Sequence, residues 1–441
     1  MIKSIRKLSI NKVVYKGFGL GYYKNYTVFV NNALPGDNVD VEIYHRKQNI
    51  LYGNITNLNK HSYLYKKPVC NSFELCGGCN WLNTDYENQL SFKNQIIKEI
   101  FKDFADKITT SITASTRTKY YRNKSFLPVK TVDNKTIIGM YAKGSHNIVE
   151  IDDCVILPEE INQMKKALLV YIKKSKISIY KEENHSGNLR HFGFYLNQTG
   201  EMLLVIVTRN RKLPFSKVLA ANLNKEYPQL RGIIQNINKN PGNKILGKEE
   251  KLIFGRKFLH YTISPGKFRV NYRSFFQINS YITRKMYRFI KENITENSSV
   301  IDAYSGVGSI GIFVADKTEE MYLIENNEIA VKDAQTNVEI NKSDNVKIIY
   351  GDTAHKLPEL LDKTEIDTII FDPPRKGIQS NIIDKIGETN IDKIIYVSCN
   401  PMTQKRDVEI FLKYSYKVTE MQAFDMFPHT YHIENVIILE K

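Results

Sequence analysis

The chain reads as an α/β protein whose last third is a Rossmann-like, doubly wound sheet of seven strands. Three observations predict it. Short apolar runs recur at 299–303, 321–324, 346–350, 368–371, 394–397, 417–423 and 435–440, mostly separated by helical stretches. The first run leads straight into a glycine turn, Gly306-Val307-Gly308. Several runs end on polar residues, as strands do where an open sheet meets its ligands. Ahead of this sheet a small β-barrel and a central α+β region are expected, because 441 residues exceed what one core can hold.

The barrel is expected over 1–60. Runs at 7–15, 27–30, 38–44 and 51–58 alternate apolar and polar residues, and the stretches 17–21 and 34–37 read as turns. Such spacing suits a five-stranded barrel of the oligonucleotide-binding sort. Its 9 Lys and Arg against 3 Asp and Glu, with Tyr22, Tyr23, Tyr26 and Phe29 interleaved, suit phosphates and stacked bases. The same rings serve equally well as barrel core.

Residues 61–262 form the expected central region. A helix over 85–106 carries an apolar stripe of Leu90, Ile96, Ile97, Ile100, Phe101 and Phe104, and is placed against the last domain. Strands are read at 137–141, 192–196, 202–207, 232–237 and 251–254. The last domain is taken as 263–441, entered by a helix that opens near 271–279.

Charge separates the parts. Residues 301–441 hold 15 Lys and Arg against 24 Asp and Glu, a balance of −9, so residues 1–300 carry +25 of the net +16. A basic front suits a polyanion, and an acidic back suits a different task. No apolar run approaches the ~18 residues of a membrane helix, and Lys3, Arg6 and Lys7 have no apolar segment behind them. A cytoplasmic protein is expected, with no membrane partner.

Five cysteines are present. An odd count does not suit a disulfide framework, and Cys70, Cys76, Cys79 and Cys154 partition naturally from Cys399 as a four-thiolate metal site. Gly77-Gly78 lets the backbone turn between two of these thiolates. The uneven spacing departs from paired zinc knuckles and favours an iron–sulfur cluster over zinc.

Cys399 ends the strand at 394–397. A lone cysteine there is either a small apolar filler or a nucleophile. Its company bears on the choice. Gly306 and Gly308 let the backbone approach a ligand, Glu325 ends the second strand where ribose hydroxyls bind, and Asp352 ends the third near an adenine edge. With no G-x-G-x-x-G or Walker motif, this pattern suits S-adenosylmethionine. Asp372-Pro373-Pro374-Arg375 closes the fourth strand on a rigid loop, and Glu434 precedes the last. A thiolate, a methyl donor and a carboxylate define a reaction. The thiolate adds to carbon 6 of uracil, carbon 5 becomes nucleophilic enough to take a methyl group, and the carboxylate removes the proton from carbon 5. The target base must leave its stack to reach such a pocket.

On these motifs nearly the whole chain resembles the RNA uracil-5-methyltransferases, especially the branch that carries an iron–sulfur cluster and acts on 23S ribosomal RNA. The resemblance implies a TRAM domain at the N-terminus, a class I methyltransferase domain at the C-terminus, and a [4Fe-4S] cluster on Cys70, Cys76, Cys79 and Cys154. It places Gln277, Tyr304, Glu325 and Asp372 at cofactor-binding positions, with Asp352 a further match. Ser398-Cys399-Asn400-Pro401 matches the nucleophile motif, and Glu434 falls on the proton-abstracting position. Ser305 departs from the cysteine many members carry there. The expected partner is RNA, 23S ribosomal RNA foremost, with no DNA, and the expected state is a monomer. The alternatives are the same reaction on transfer RNA, or a non-catalytic RNA-binding assembly factor.

Overall fold

The computed structural model describes residues 2–108 and 111–441. The N-terminal barrel comprises β1 (Ser4–Val14), β2 (Phe18–Tyr23), β3 (Tyr26–Val30), β4 (Asn38–Lys47) and β5 (Ile50–Lys60), closed in the order β1-β2-β3-β5-β4. Ile5, Leu8, Ile10, Val28, Val30, Val39 and Val41 fill its interior. Of the glycine-rich stretch at 17–21, expected as a turn, Gly17 lies in the turn after β1, while 18–21 supply the start of β2. A Cβ at Gly19 would stand 2.7 Å from the Ala33 carbonyl oxygen, and one at Gly21 2.6 Å from that of Ser9. These two glycines serve close strand packing.

A long helix, α1 (Tyr86–Ile100), then leads into the central sheet. Its elements are β6 (Lys124–Val132), β7 (Lys135–Tyr141), β8 (Ile148–Glu150), α2 (Glu159–Ser175), β9 (Leu189–Leu196), β10 (Met202–Thr208), α3 (Ser216–Glu226), β11 (Leu230–Ile237) and β12 (Glu249–Gly255). The strand order is β12-β11-β10-β9-β6-β7-β8. Leu168 and Ile172 of α2 and Leu219 and Leu223 of α3 pack with Phe192, Leu204 and Ile206. The opposite face, with Tyr195, Val205 and Val207, shares one core with the last domain. A hairpin of β13 (Phe258–Ile263) and β14 (Gly266–Asn271) joins the two; the sequence reading did not include it.

The last domain begins with α4 (Ser280–Glu292) and alternates thereafter: β15 (Ser298–Ala303), α5 (Ser309–Val314), β16 (Thr318–Glu325), α6 (Glu328–Asn341), β17 (Val346–Tyr350), α7 (Thr353–Leu361), β18 (Thr368–Phe371), α8 (Ser380–Gly387), β19 (Lys393–Ser398), α9 (Pro401–Phe411), β20 (Lys417–Phe424) and β21 (Glu434–Glu440). The expected seven strands form one sheet in the order β17-β16-β15-β18-β19-β21-β20. The pairs from β17 to β19 are parallel, and β21 runs antiparallel to both neighbours. That inversion brings the first residue of β21, Glu434, to the edge where the parallel strands end.

The segment before β21 is fastened from outside its own domain. Lys93 of α1 is fully buried and donates to Asp425 Oδ1 at 2.5 Å, to the Phe427 carbonyl at 3.1 Å and to the His432 carbonyl at 2.9 Å. Tyr86 Oη donates to Asp425 Oδ2 at 2.6 Å. Gln89 Oε1 accepts from the His429 backbone N–H, and the His429 carbonyl accepts from the N–H groups of Asn80 and Trp81. Burial alone pushes the Lys93 ammonium pKa down, and Asp425 is the partner that opposes this shift. Removing one member of a buried pair leaves the other uncompensated, so Asp425→Ala is expected to lower stability by about 3–5 kcal/mol, read from the denaturant midpoint.

Candidate active site

The ends of β15 to β19 and the start of β21 build the rim. After β15 the chain turns through Tyr304, Gly306 and Gly308, with φ of 63°, 57° and 77°, the left-handed region. A Cβ at Gly308 would come within 2.8 Å of Leu323, whereas one at Gly306 would meet nothing within 4 Å. Gly308 combines a left-handed φ with close packing against Leu323, and Gly306 borders open space. After β16, Glu325 accepts from the backbone N–H of Gly306 at 2.9 Å and of Asn327 at 2.6 Å. After β17, Asp352 caps α7 by accepting from the Ala354 N–H at 2.8 Å, and its charge reaches Tyr304. The structure thus places Tyr304, Gly306, Gly308, Glu325 and Asp352 along one stretch of the rim.

The other stretch is a buried cluster of acids beside a thiol. Asp372, at the end of β18, accepts from Gln277 Nε2 at 3.2 Å, and burial pushes its carboxyl up to about 7. Glu434 is buried, and burial together with the Asp372 charge holds its carboxyl well above the ordinary range. A charge on Asp372 thus opposes ionisation of Glu434. Cys399 lies beside them. Burial first, then the Glu434 charge, pushes its thiol up to about 11, while Arg375 acts in the opposite direction by charge and by hydrogen bond. Gln277, Asp372, Cys399 and Glu434 are therefore brought together, as their sequence positions suggested.

Strand ends are fixed from beneath by amides. Gln404 of α9 donates to the carbonyls of Tyr396 and Asn435 at 2.8 and 3.2 Å, and accepts from Asn435 Nδ2 at 2.9 Å. This ties β19 and β21 under Cys399 and Glu434. Pro401 opens α9 at its first turn, so the helix's positive end adjoins the thiol and favours its ionised form.

Sequence reasoning missed several neighbours. Arg375 was read only as part of a proline-fixed loop, yet its charge acts on Cys399, Glu434, Tyr15 and Tyr431. Tyr15 of the barrel donates to Asn400 Oδ1 at 3.1 Å and meets Tyr431 edge to face at 5.7 Å. Asp302, on β15, is fully buried with Oδ1 unpartnered among the described residues, and burial pushes it up to about 8. A cleft of about 740 Å³ opens over Cys399, walled by Arg375, Asn400, Tyr431 and the barrel residues Tyr15 and Phe29. For Arg375 the run Asp372-Pro373-Pro374-Arg375 carried a usable signal; for Tyr15 and Asp302 none did.

Cys70, Cys76, Cys79 and Cys154 line one small apolar cavity in the central region. Burial pushes the thiols of Cys76, Cys79 and Cys154 up, and Cys70 is among the charges acting on all three. Among the described residues no three His, Cys, Asp or Glu side chains are set to hold a single metal ion. The four thiols predicted as a metal site are thus brought to one cavity, but no metal-binding arrangement is found among the described residues.

A doubly wound sheet with a glycine turn after its first strand and a polar crevice at its strand ends defines an α/β enzyme that takes its ligands on that rim. A family model described as tRNA (Uracil-5-)-methyltransferase matches residues 85–441, and a TRAM domain model matches residues 1–56. The chain belongs to the RNA uracil-5-methyltransferase family. An "Uncharacterized RNA methyltransferase" of Clostridium tetani is 34% identical over 442 residues, 99% of this chain and 96% of that relative. One of Fusobacterium nucleatum is 34% identical over 448 residues, 100% of this chain and 96% of that relative. Among solved structures, the Pyrococcus abyssi tRNA (uracil-54, C5)-methyltransferase in complex with S-adenosyl-L-homocysteine is 26% identical with a TM-score of 0.78, over 98% of this chain and 100% of that one.

With its thiol pushed up to about 11, Cys399 is expected to react with iodoacetamide at a rate that keeps rising with pH beyond 9. Glu434→Gln removes an opposing charge and moves that profile to lower pH; Arg375→Ala moves it higher. Peptide mass spectrometry at Cys399 reads the rates, and a midpoint near the ordinary thiol value of about 8.5 in the wild type would contradict this electrostatic picture.

Proposed function

We propose that this protein methylates carbon 5 of a uridine in 23S ribosomal RNA, through a covalent bond between Cys399 Sγ and carbon 6 of the base. The observation that carries the reading is the gathering of Cys399, Glu434, Asp372 and Arg375 at one rim of the sheet, under a cleft open to the barrel.

S-adenosylmethionine, when bound, supplies an electrophilic methyl group. The residues suited to hold it are Tyr304, Gly306, Gly308, Glu325 and Asp352 on one stretch of rim, with Gln277 and Asp372 toward the thiol. Open space at Gly306 and the backbone-anchored carboxylate of Glu325 fit a nucleoside there. Each Glu325 oxygen has a second lone pair for a ribose hydroxyl.

The reacting base is handled by the chain's own groups. Arg375 and the start of α9 favour the Cys399 thiolate, which forms the bond to carbon 6 and sends the electron pair of the 5,6 double bond onto the carbon 5 side. Carbon 5 takes the methyl group. Ionised Glu434 then removes the proton from carbon 5, the double bond re-forms, and the sulfur leaves as thiolate. Burial of Glu434 beside Asp372 raises its proton affinity, which strengthens it as a base once ionised.

Cys70, Cys76, Cys79 and Cys154 are assigned to a [4Fe-4S] cluster. Supporting this are their shared cavity and uneven spacing. Zinc would draw all four sulfurs to about 2.3 Å of one centre, while a cubane bonds each thiolate to a different iron. Anaerobically purified protein is expected to hold about four iron atoms per chain with matching sulfide. Zinc near one equivalent would sink the assignment.

Similarity to the Pyrococcus enzyme favours a second reading, the same chemistry on transfer RNA. Mapping 5-methyluridine in both RNAs from a strain lacking the gene separates the two; loss confined to transfer RNA would select it. An assembly factor without catalysis would methylate neither. For the mechanism, Cys399→Ala is expected to abolish methyl transfer, and Glu434→Gln to accumulate an enzyme–RNA adduct that survives denaturing gel electrophoresis.

A further inference from the structure

The cleft above Cys399 does not stop at the catalytic rim. Its barrel wall includes Lys12 and Phe29, and each leads onward to a different surface. Lys12 also lines a second cleft, of about 730 Å³, that runs between β1 and α1 and contains Lys98 and Lys102. Glu99, the acidic residue lining that groove, is taken up by Lys12 at 2.7 Å. The exposed Lys98 and Lys102 ammonium groups therefore meet no carboxylate from the groove wall other than one already paired. On the other side, Phe29 begins a row of rings along the outside of the barrel. Phe29 and Tyr52 stack at 5.2 Å and 27°, and Tyr44, 53% exposed, lies 6.5 Å from Tyr52.

A cationic groove beside an aromatic row on a small barrel is the combination that holds single strands: cations follow phosphates, and rings take unstacked bases. A duplex could not use the row, because its bases already stack on each other. Reaching Cys399 also requires an unstacked base. Charge in the groove, rings on the barrel and the thiol between them suit one continuous occupant.

We propose that a single-stranded stretch of the substrate RNA crosses the Cys399 cleft, with phosphates on one side of the target nucleotide against Lys98 and Lys102, and bases on the other side stacked along Phe29, Tyr52 and Tyr44. This rests on the RNA-methylating reading above and adds the path of the strand. The barrel and α1 thus form one wall of the substrate site.

The test uses the full-length protein and a fluorescent short oligouridylate, with binding followed by anisotropy at several salt concentrations and without a methyl donor. Lys98→Ala/Lys102→Ala is expected to weaken binding and to lower the slope of log affinity against log salt by about 1.4, two single-strand phosphate contacts. Tyr44→Ala is expected to weaken binding at least about fivefold with the slope unchanged. An unaltered slope in the double lysine variant, or an unaltered affinity in Tyr44→Ala, overturns the proposal. Because no chemistry is involved, this result is separate from the reaction itself: failure of the wild-type protein to form 5-methyluridine would overturn the catalytic reading and leave the binding measurement standing.

Discussion

The buried ion pair between Lys93 and Asp425 is the constraint on which the geometry of the site depends. A lysine at 0% exposure is costly to desolvate, and three acceptors at its ammonium compensate: one carboxylate oxygen and two backbone carbonyls. Those carbonyls belong to Phe427 and His432, at the two ends of the loop that delivers Glu434. The α1 helix, outside the sheet, thereby sets where the candidate base stands. The same loop is gripped through His429 by Gln89 and the 80–81 backbone, so the chain between barrel and sheet acts as a splint for the rim.

Within that frame the electrostatics are held in opposition. Two buried carboxyls face a buried thiol: both of their charges raise the proton affinity of Cys399, and the Asp372 charge raises that of Glu434. Arg375 is the cation working against them. Burial and these charges favour the protonated form of the Cys399 thiol. The barrel contributes directly: Tyr15, hydrogen-bonded to Asn400 and packed on Tyr431, stands in the same field, and burial pushes its hydroxyl up to about 12.

Much of the last domain was legible because its strands are buried on both faces and read as unbroken apolar runs ending in marked residues, Asp372 and Cys399 among them. The barrel glycines misled because a glycine-rich stretch signals a turn as readily as a place where two strands press together; only the contacts of Gly19 and Gly21 distinguish these. Lys93 was invisible for a related reason. A lysine interrupting the apolar stripe of α1 reads as a solvated edge, and nothing local announces Asp425, 332 residues away, as its partner. Arg375 stood next to a recognised motif, but no spacing rule says that a side chain following two prolines will turn back toward the thiol.

Taken alone, the sequence determined the alternation of strands and helices, the glycine turn, the family resemblance and the division of five cysteines into four and one. Those follow from periodicity and from residue types whose backbone or chemical demands are local. Tertiary structure decided which strand ends share a rim. Insertion of β21, antiparallel, between β19 and β20 carries Glu434 to Cys399, and the barrel's closure places Tyr15 and Phe29 over the same thiol. Both are consequences of tertiary packing, which joins Cys399 to a residue 35 positions ahead and to one 384 positions behind, and no local pattern encodes it.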